Sequence, residues 1–274
     1  MGQNYGSGIA AVGLMKAPPA AAGGGSQTVT IFDDFSTDTD AHYDYWDSGT
    51  ETGSCTVSSG VMTLDCVGGC MCHPLSTSGG TPPGNQPSTF DHWAIWRTPA
   101  TGVDFKRGPA IRVRDDGTEP TGTEFQYDAR CRGNVGDTIV IQVCDTGSSC
   151  ATIESTGIAC NTVSDTIGLM AAGDTTDTEI CLWFWETGGP TIDASTTPDS
   201  WGADADYCIS SDGSIDNSKL TGMVTCGGSP TTCSTWDTAP NTAKGWAANT
   251  NFSVTLYGGA AGAFDVDAWA AGDL

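Results

Sequence analysis

The sequence predicts an all-β chain folded as an antiparallel jelly-roll sandwich, and three observations predict it. Glycine supplies 37 of 274 residues, with abundant Thr, Ser and Asp, a composition of short strands joined by turns. Apolar residues recur at alternate positions in segment after segment, the period of a half-buried strand. The two ends, VTIFDDFSTD from Val29 and FDVDAWAAGDL at the C-terminus, are acidic strands that a closed sandwich lays side by side.

The length suits one large β domain, because strands run on after Gly25 with no linker between them. The organisation read from it is a Gly/Ala-rich N-terminal docking arm over 1–26 and a sandwich domain over 27–274, the latter interrupted by an insertion at about 187–249. The arm has no basic n-region and no unbroken apolar core, so it does not read as a signal peptide, and no run is long and apolar enough to span a membrane.

In chain order, Val29 to Phe35 is the first strand and HYDYWDSGT an aromatic loop or short strand. CTVSSGVMTLDC is a hairpin about Ser58-Ser59-Gly60, which brings Cys55 and Cys66 near each other as the first disulfide candidate. DHWAIWRTP is an aromatic strand. RGPAIRVR and FQYDARCR read as a paired meander that gathers Arg112, Arg114, Arg130 and Arg132 on one face. Asp137 to Asp145 follows as a strand, where Cys131 and Cys144 bridge neighbouring strands or reach loops, and Cys150 and Cys160 flank and close a short segment. DTIGLMAAGDTTDTEICLWFWE gives two strands about Gly173-Asp174, with Ile180, Leu182 and Phe184 opposed to Cys181, Trp183 and Trp185. The insertion carries Cys226 and Cys233, its nearest local pair. Asn251 to Leu274 closes the chain as one hairpin, with Phe252, Val254, Leu256, Phe264, Val266 and Ala268 inward and Asp265, Asp267 and Trp269 outward.

Twelve cysteines, an even number, imply disulfides and an oxidising, extracellular or virion setting rather than a reduced cytosol. A formal charge of −23 disfavours nucleic acid and anionic membrane surfaces as partners through repulsion and favours divalent cations. All six arginines nevertheless lie between Arg97 and Arg132, a positive zone inside an acidic chain.

The chain resembles the concanavalin A-like, laminin-G-like lectin and glucanase domains of tailed-phage virion proteins. The resemblance rests on IFDDFST, WAIWRTP, RGPAIRVRDDG with FQYDAR, DTIGLMAAG with ICLWFWE, PDSWGADADYCISSDG, and NFSVTLYGG with FDVDAWAAGDL. It covers Val29 to Leu274 and implies the fold more strongly than any activity.

Each candidate site has a plainer alternative. Retaining glucanases of this fold need two carboxylates about 5 Å apart, and none of the six glutamates has the spacing that places a second carboxylate there. Trp183 and Trp185 form a sugar-stacking platform if the Ile180 face is the core, and otherwise are core themselves. The arginines Arg112, Arg114, Arg130 and Arg132 hold acidic sugars or a neighbour's carboxylates, or pair internally with Asp115, Asp116, Asp128 and Glu124. Asp33, Asp34, Asp265 and Asp267 are candidate calcium ligands, with plain solvation as the alternative. Cys70, Cys72 and His73 lack a second matched half for zinc and read as disulfide chemistry.

The expected function is a non-enzymatic virion structural or decoration protein of a capsid or tail, contacting neighbouring subunits as an oligomer or lattice and binding host-surface glycan. The competing class is a secreted carbohydrate-binding protein or a glycoside hydrolase of the same fold. Calcium is the one cofactor with a candidate ligand set.

Overall fold

A computed structural model describes residues 27–47, 52–75, 77, 81–87, 91–99, 107–114, 125–132, 138–145, 149–160, 165–173, 178–202, 205–210, 253–258 and 262–274. The docking arm over 1–26, most of the insertion including Cys226 and Cys233, and the carboxylates Asp115, Asp116 and Glu124 lie outside the described residues.

Sixteen strands are described, and no α-helix is present among the described residues. They are β1 (Thr28–Asp33), β2 (Tyr43–Asp47), β3 (Ser54–Ser58), β4 (Val61–Cys66), β5 (Cys70–Pro74), β6 (His92–Arg97), β7 (Arg107–Arg114), β8 (Phe125–Arg132), β9 (Thr138–Asp145), β10 (Ser149–Ala159), β11 (Thr166–Gly173), β12 (Thr178–Trp185), β13 (Tyr207–Ser210), β14 (Ser253–Gly258), β15 (Gly262–Val266) and β16 (Ala268–Asp273). One sheet has the order β1-β16-β6-β11-β12-β13, a second β10-β9-β8-β7-β14-β5-β2, and a small third β15-β4-β3. Every described strand pairing is antiparallel, and the fold is the expected antiparallel jelly-roll sandwich.

The alternation of the sequence fills the space between the two large sheets. Ala94 and Trp96 of β6, Leu169 and Ala171 of β11, and Ile180 and Leu182 of β12 share one apolar core with Ile111, Ala129, Ile139, Ile141, Val254 and Leu256. Met62, Leu64, Phe264 and Val266 of the small sheet extend that core at one end. The opposite face of the six-stranded sheet carries a second apolar cluster containing Trp93, Ile95, Met170, Cys181 and Trp183.

The ends of the domain meet as expected. β1 pairs with β16 from Thr28↔Asp273 to Asp33↔Trp269, which sets Gln27, the first described residue, beside the C-terminal strand. The outer edge of β1 is partly covered. Phe32 donates its amide to the Pro83 carbonyl at 2.8 Å, and Asn85 donates to the Thr30 carbonyl at 2.8 Å, so a short loop takes the place of the missing strand.

The C-terminal stretch is not one hairpin. β14 lies between β7 and β5, β15 pairs with β4, and β16 runs between β1 and β6, so the chain visits all three sheets. Asp267 stands at the corner between β15 and β16, its amide donating to the Arg97 carbonyl at 2.9 Å. One residue outside both strands inverts the side-chain alternation. Phe264 and Val266 face the central core before it, whereas Trp269 and Ala271 do so after it, and Ala268 and Ala270 turn to the outer cluster. The outward orientation expected for Trp269 is thereby corrected, and it is among the largest fully buried side chains.

The cysteines pair by register, which the sequence does not display. The β3–β4 hairpin turns through Ser59 and Gly60, both at positive φ, as a two-residue hairpin of primed type does. Its register opposes Cys55 to Leu64, leaving Cys66 two residues out of step. Cys55 joins Cys72 of β5, with Cα atoms 5.8 Å apart, and Cys66 joins Cys70 across the β4–β5 turn, at 5.4 Å. The Cys55–Cys66 pairing is therefore corrected, while the disulfide reading of Cys70 and Cys72 over zinc holds. Cys131 stands opposite Ile139 and Cys144 opposite Gln126, too far along the β8–β9 ladder to bridge, and Cys144 instead opposes Cys150. Cys150 lies near the start of β10 and Cys160 just past its end, separated by about 30 Å of extended chain, so they do not close a segment together. Cys160 and Cys181 are both disulfide-bonded.

Candidate functional site

Two outer faces of the sandwich hold the residues singled out by the sequence. On the six-stranded sheet the Ile180 face is the core, which turns Trp183 and Trp185 outward beside Trp93. They do not form an open platform. The segment after β12 folds back over them and lays Trp201 across the face, edge-on to Trp93, Trp183 and Trp185 at centroid separations of 5.8, 4.9 and 6.1 Å. Trp183 and Trp201 are each 4% exposed, while Trp185 remains half-buried at the rim. Gly168 of β11 makes the room, because a Cβ there would stand 2.7 Å from the Trp201 ring.

The covering segment is tied down at several points. Arg97 donates from Nη2 to the Pro190 carbonyl and Thr166 from Oγ1 to the Gly188 carbonyl. Asp206 accepts the Phe184 amide at 2.7 Å. Gln27 and Asp199 exchange two hydrogen bonds, Gln27 Nε2 to Asp199 Oδ1 at 3.3 Å and the Asp199 amide to Gln27 Oε1 at 3.0 Å. The residue adjoining the 1–26 arm thus touches the tryptophan cover directly.

The seven-stranded sheet carries the arginines. β7 and β8 pair as the expected meander, with Ala110 opposite Asp128 and Ile111 opposite Tyr127. The side chains of Arg112, Arg114 and Arg132 lie outside the described residues, whereas Arg130 is 7% exposed. Arg130 Nε lies 3.3 Å from Asp128 Oδ1, its Nη1 donates to Tyr257 Oη at 3.5 Å, and its guanidinium carbon stands 5.2 Å from the centre of the Tyr257 ring. For Arg130 and Asp128 the internal pairing weighed from the sequence is present. Burial pushes the Tyr257 hydroxyl up to about 12, with the Asp128 charge adding and Arg130 opposing.

Two further polar groups stand here, His73 on β5 and Gln86 in the loop before β6, and only Gln86 gave no sequence signal. Pro74 ends β5 and has no amide to offer β14. The buried Gln86 side chain fills in, accepting the Val254 amide at 2.9 Å and donating to the Val254 and Pro74 carbonyls at 3.2 and 3.0 Å. Its Nε2 also lies 3.3 Å from His73 Nε2. Burial holds the His73 imidazole down to about 3, so it is neutral at physiological pH.

The proposed calcium ligands are not gathered. Asp33 is buried and receives the Phe35 amide at 2.8 Å, Thr39 Oγ1 at 2.9 Å and Tyr43 Oη at 3.1 Å, a donor set that satisfies it without a cation. Desolvation nevertheless raises its pKa above the usual carboxylate value. Asp34 caps the Ser36 amide at 3.0 Å and Asp265 accepts Thr63 Oγ1 at 2.7 Å on the small sheet. Asp267 is raised chiefly by desolvation, opposed by the Arg97 charge. Among the described residues no cluster of three or more His, Cys, Asp or Glu side chains forms a metal-binding group.

No helix among the described residues is long and apolar enough to cross a membrane. No protein-family model and no curated protein matches the chain. Among solved structures it is similar to the CBM2 module of Lactobacillus casei BL23 phage J-1 evolved Dit, at 8% identity and a TM-score of 0.39, covering 89% of this chain and 95% of that one. It is also similar to the xylan beta-1,4-xylosidase from Bacillus halodurans C-125, at 10% identity and 0.38, covering 88% of this chain and 38% of that one. Likenesses this distant carry no argument about function.

Proposed function

We propose that the chain is a non-enzymatic virion structural protein that decorates a capsid or tail through its 1–26 arm and binds glycan at the host surface. The observation that carries this reading is the seam. β1 and β16 close one edge of the six-stranded sheet together, so the arm departs from that edge beside the C-terminus, and Gln27 there clasps Asp199 of the tryptophan cover.

The remaining support is physical. Disulfides and a charge of −23 suit an oxidising, crowded particle exterior. Asp33 and Asp265 accept hydrogen bonds from neighbouring hydroxyls, and Asp128 is paired with Arg130. A glycan array together with a reducing-sugar assay on the purified chain tests the binding half. Binding without turnover is the expected result, and release of reducing sugar from any bound glycan would replace this reading with the hydrolase.

A further inference from the structure

Cys181 is disulfide-bonded, and its place in the fold selects the partner. It sits fully buried on β12, in the outer apolar cluster of the six-stranded sheet with Trp93, Trp183 and Trp201. Cys160, also bonded, belongs to the central core on the other side of that sheet. Cys131, Cys144 and Cys150 stand on β8, β9 and β10 of the seven-stranded sheet, so a bond from Cys181 to any of them would have to pass through the six-stranded sheet. Cys55, Cys66, Cys70 and Cys72 are taken by one another. Among the described cysteines, Cys208 is left.

The backbone register puts Cys208 in the required place. The antiparallel β12–β13 ladder sets Cys181 opposite Cys208, between the rungs Ile180↔Ile209 and Leu182↔Tyr207. Directly opposed residues of an antiparallel pair have Cα atoms about 4.5 or 5.5 Å apart, depending on the rung. Both separations fall within the span of about 4.4–6.8 Å that a disulfide bridges.

The pair stands at the neck of the tryptophan cover. The chain leaves β12 at Trp185, lays Trp201 edge-on against Trp93 and Trp183, and returns into β13 at Tyr207. Between those strands the described residues form no further strand and one short 3-10 turn, Pro198–Ser200, so no ladder holds the cover down. The Trp201 indole N–H is buried without an acceptor among the described residues, which works against the closed position. β13 is four residues long and lies at the sheet edge, so it offers the returning chain few rungs. A crosslink at the neck, between residues 27 apart in sequence (208 − 181), acts by restricting the open ensemble.

We infer that Cys181 and Cys208 form a disulfide that closes the tryptophan cover at its neck. The oxidant it requires is a small-molecule disulfide such as oxidised glutathione. One cysteine thiolate attacks that disulfide and releases a first thiol; the second cysteine thiolate then attacks the mixed disulfide and releases the other. One S–S bond forms in the protein, one breaks in the oxidant, and the two cysteine protons end on the two released thiols. The bond makes the cover a fixed part of the sheet, and it stands apart from both glycan binding and attachment to a particle.

The test is mass spectrometry of the full chain, alkylated without reduction and digested with pepsin at low pH, where thiolates are scarce and exchange is suppressed. A peptide carrying Cys181 joined to one carrying Cys208 is expected, separating into its two halves on reduction. Cys181 found alkylated, or joined to any other cysteine, overturns the assignment. The role of the bond is read from hydrogen exchange in the double variant Cys181→Ala, Cys208→Ala. Amides of 186–206 are expected to exchange about a hundredfold faster than in the parent, the scale of loop-closure entropy for a crosslink of this length, while those of β6 and β11 hold their rates. Unchanged exchange over 186–206 would remove the closing role. Should the double variant fail to fold, the parent chain held in a reductant at neutral pH supplies the same comparison.

Discussion

Trp269 Nε1 donates a hydrogen bond to Tyr43 Oη at 2.8 Å, joining the six-stranded sheet to the seven-stranded sheet through the middle of the core. Tyr43 Oη in turn donates a hydrogen bond to Asp33 Oδ2, which also accepts one from Thr39 Oγ1. The chain of bonds therefore ties the last strand, the second strand and the loop after the first into one buried network. Desolvation and the Asp33 charge both hold the Tyr43 hydroxyl well above its usual pKa, so it stays a donor at any physiological pH.

Removing that hydroxyl tests the network. Tyr43→Phe keeps the ring but leaves the Trp269 indole without an acceptor and Asp33 with one donor fewer. The expected loss is about 1–3 kcal/mol, at the upper end because a carboxylate is involved. Urea unfolding of the variant checks it, and an unchanged midpoint would contradict a stabilising role for the bridge.

Gln86 makes a second prediction. Because its amide stands in for the strand bond that Pro74 cannot make, Gln86→Leu should leave both the amide and the carbonyl of Val254 unpaired in the core. A loss of about 1–3 kcal/mol is expected, with amide exchange at Val254 accelerating ahead of the other β14 amides.

The pH dependence follows from His73. Its folded pKa lies near 3 against 6.5 for the free side chain, so the unfolded chain binds a proton that the folded chain refuses. The stability associated with neutral His73 is complete above pH 6.5 and falls as the pH drops toward 3, by up to about 1.4 kcal/mol for each pH unit. Asp33 and Asp267 work the other way, since their raised folded pKa values make the folded state take up protons first as the pH falls toward 3.8. A net acid decline beginning near pH 6.5 is therefore expected to soften close to pH 4. Replacing His73 by Gln should remove the upper part of the decline, and a variant with the parental profile would assign it elsewhere.

The tryptophan cover can be disturbed from below. Gly168→Ala places a methyl group 2.7 Å from the Trp201 ring, so the ring must shift. Overpacking of this kind costs about 1–3 kcal/mol. Near-ultraviolet circular dichroism should lose intensity from the coupled indoles while the far-ultraviolet signal persists.

The strands and their faces were legible where alternation was uninterrupted. Ile180 and Leu182 separate from Cys181 and Trp183 as the sequence suggests, and β1 meets β16. The reading failed where one residue changes the phase. Asp267 looks like another outward carboxylate, yet it is a corner, and everything after it faces the opposite way. Disulfide partners were hidden for a related reason, because Cys55 meets Cys72 through a register that only the assembled sheets define. Trp201 gave a faint signal, an aromatic in a polar segment, but its target lay on strands remote in sequence. The Arg130–Tyr257 contact reaches across β7 between strands remote in sequence, which no local pattern announces.

The central claim is that this chain is a decoration protein held by its arm, and occupancy on particles tests it most directly. Electron microscopy of particles assembled with the full chain and with residues 2–25 deleted should show density for the sandwich in the first and its loss in the second, while the deleted protein keeps its thermal midpoint. Equal occupancy in both would contradict the account.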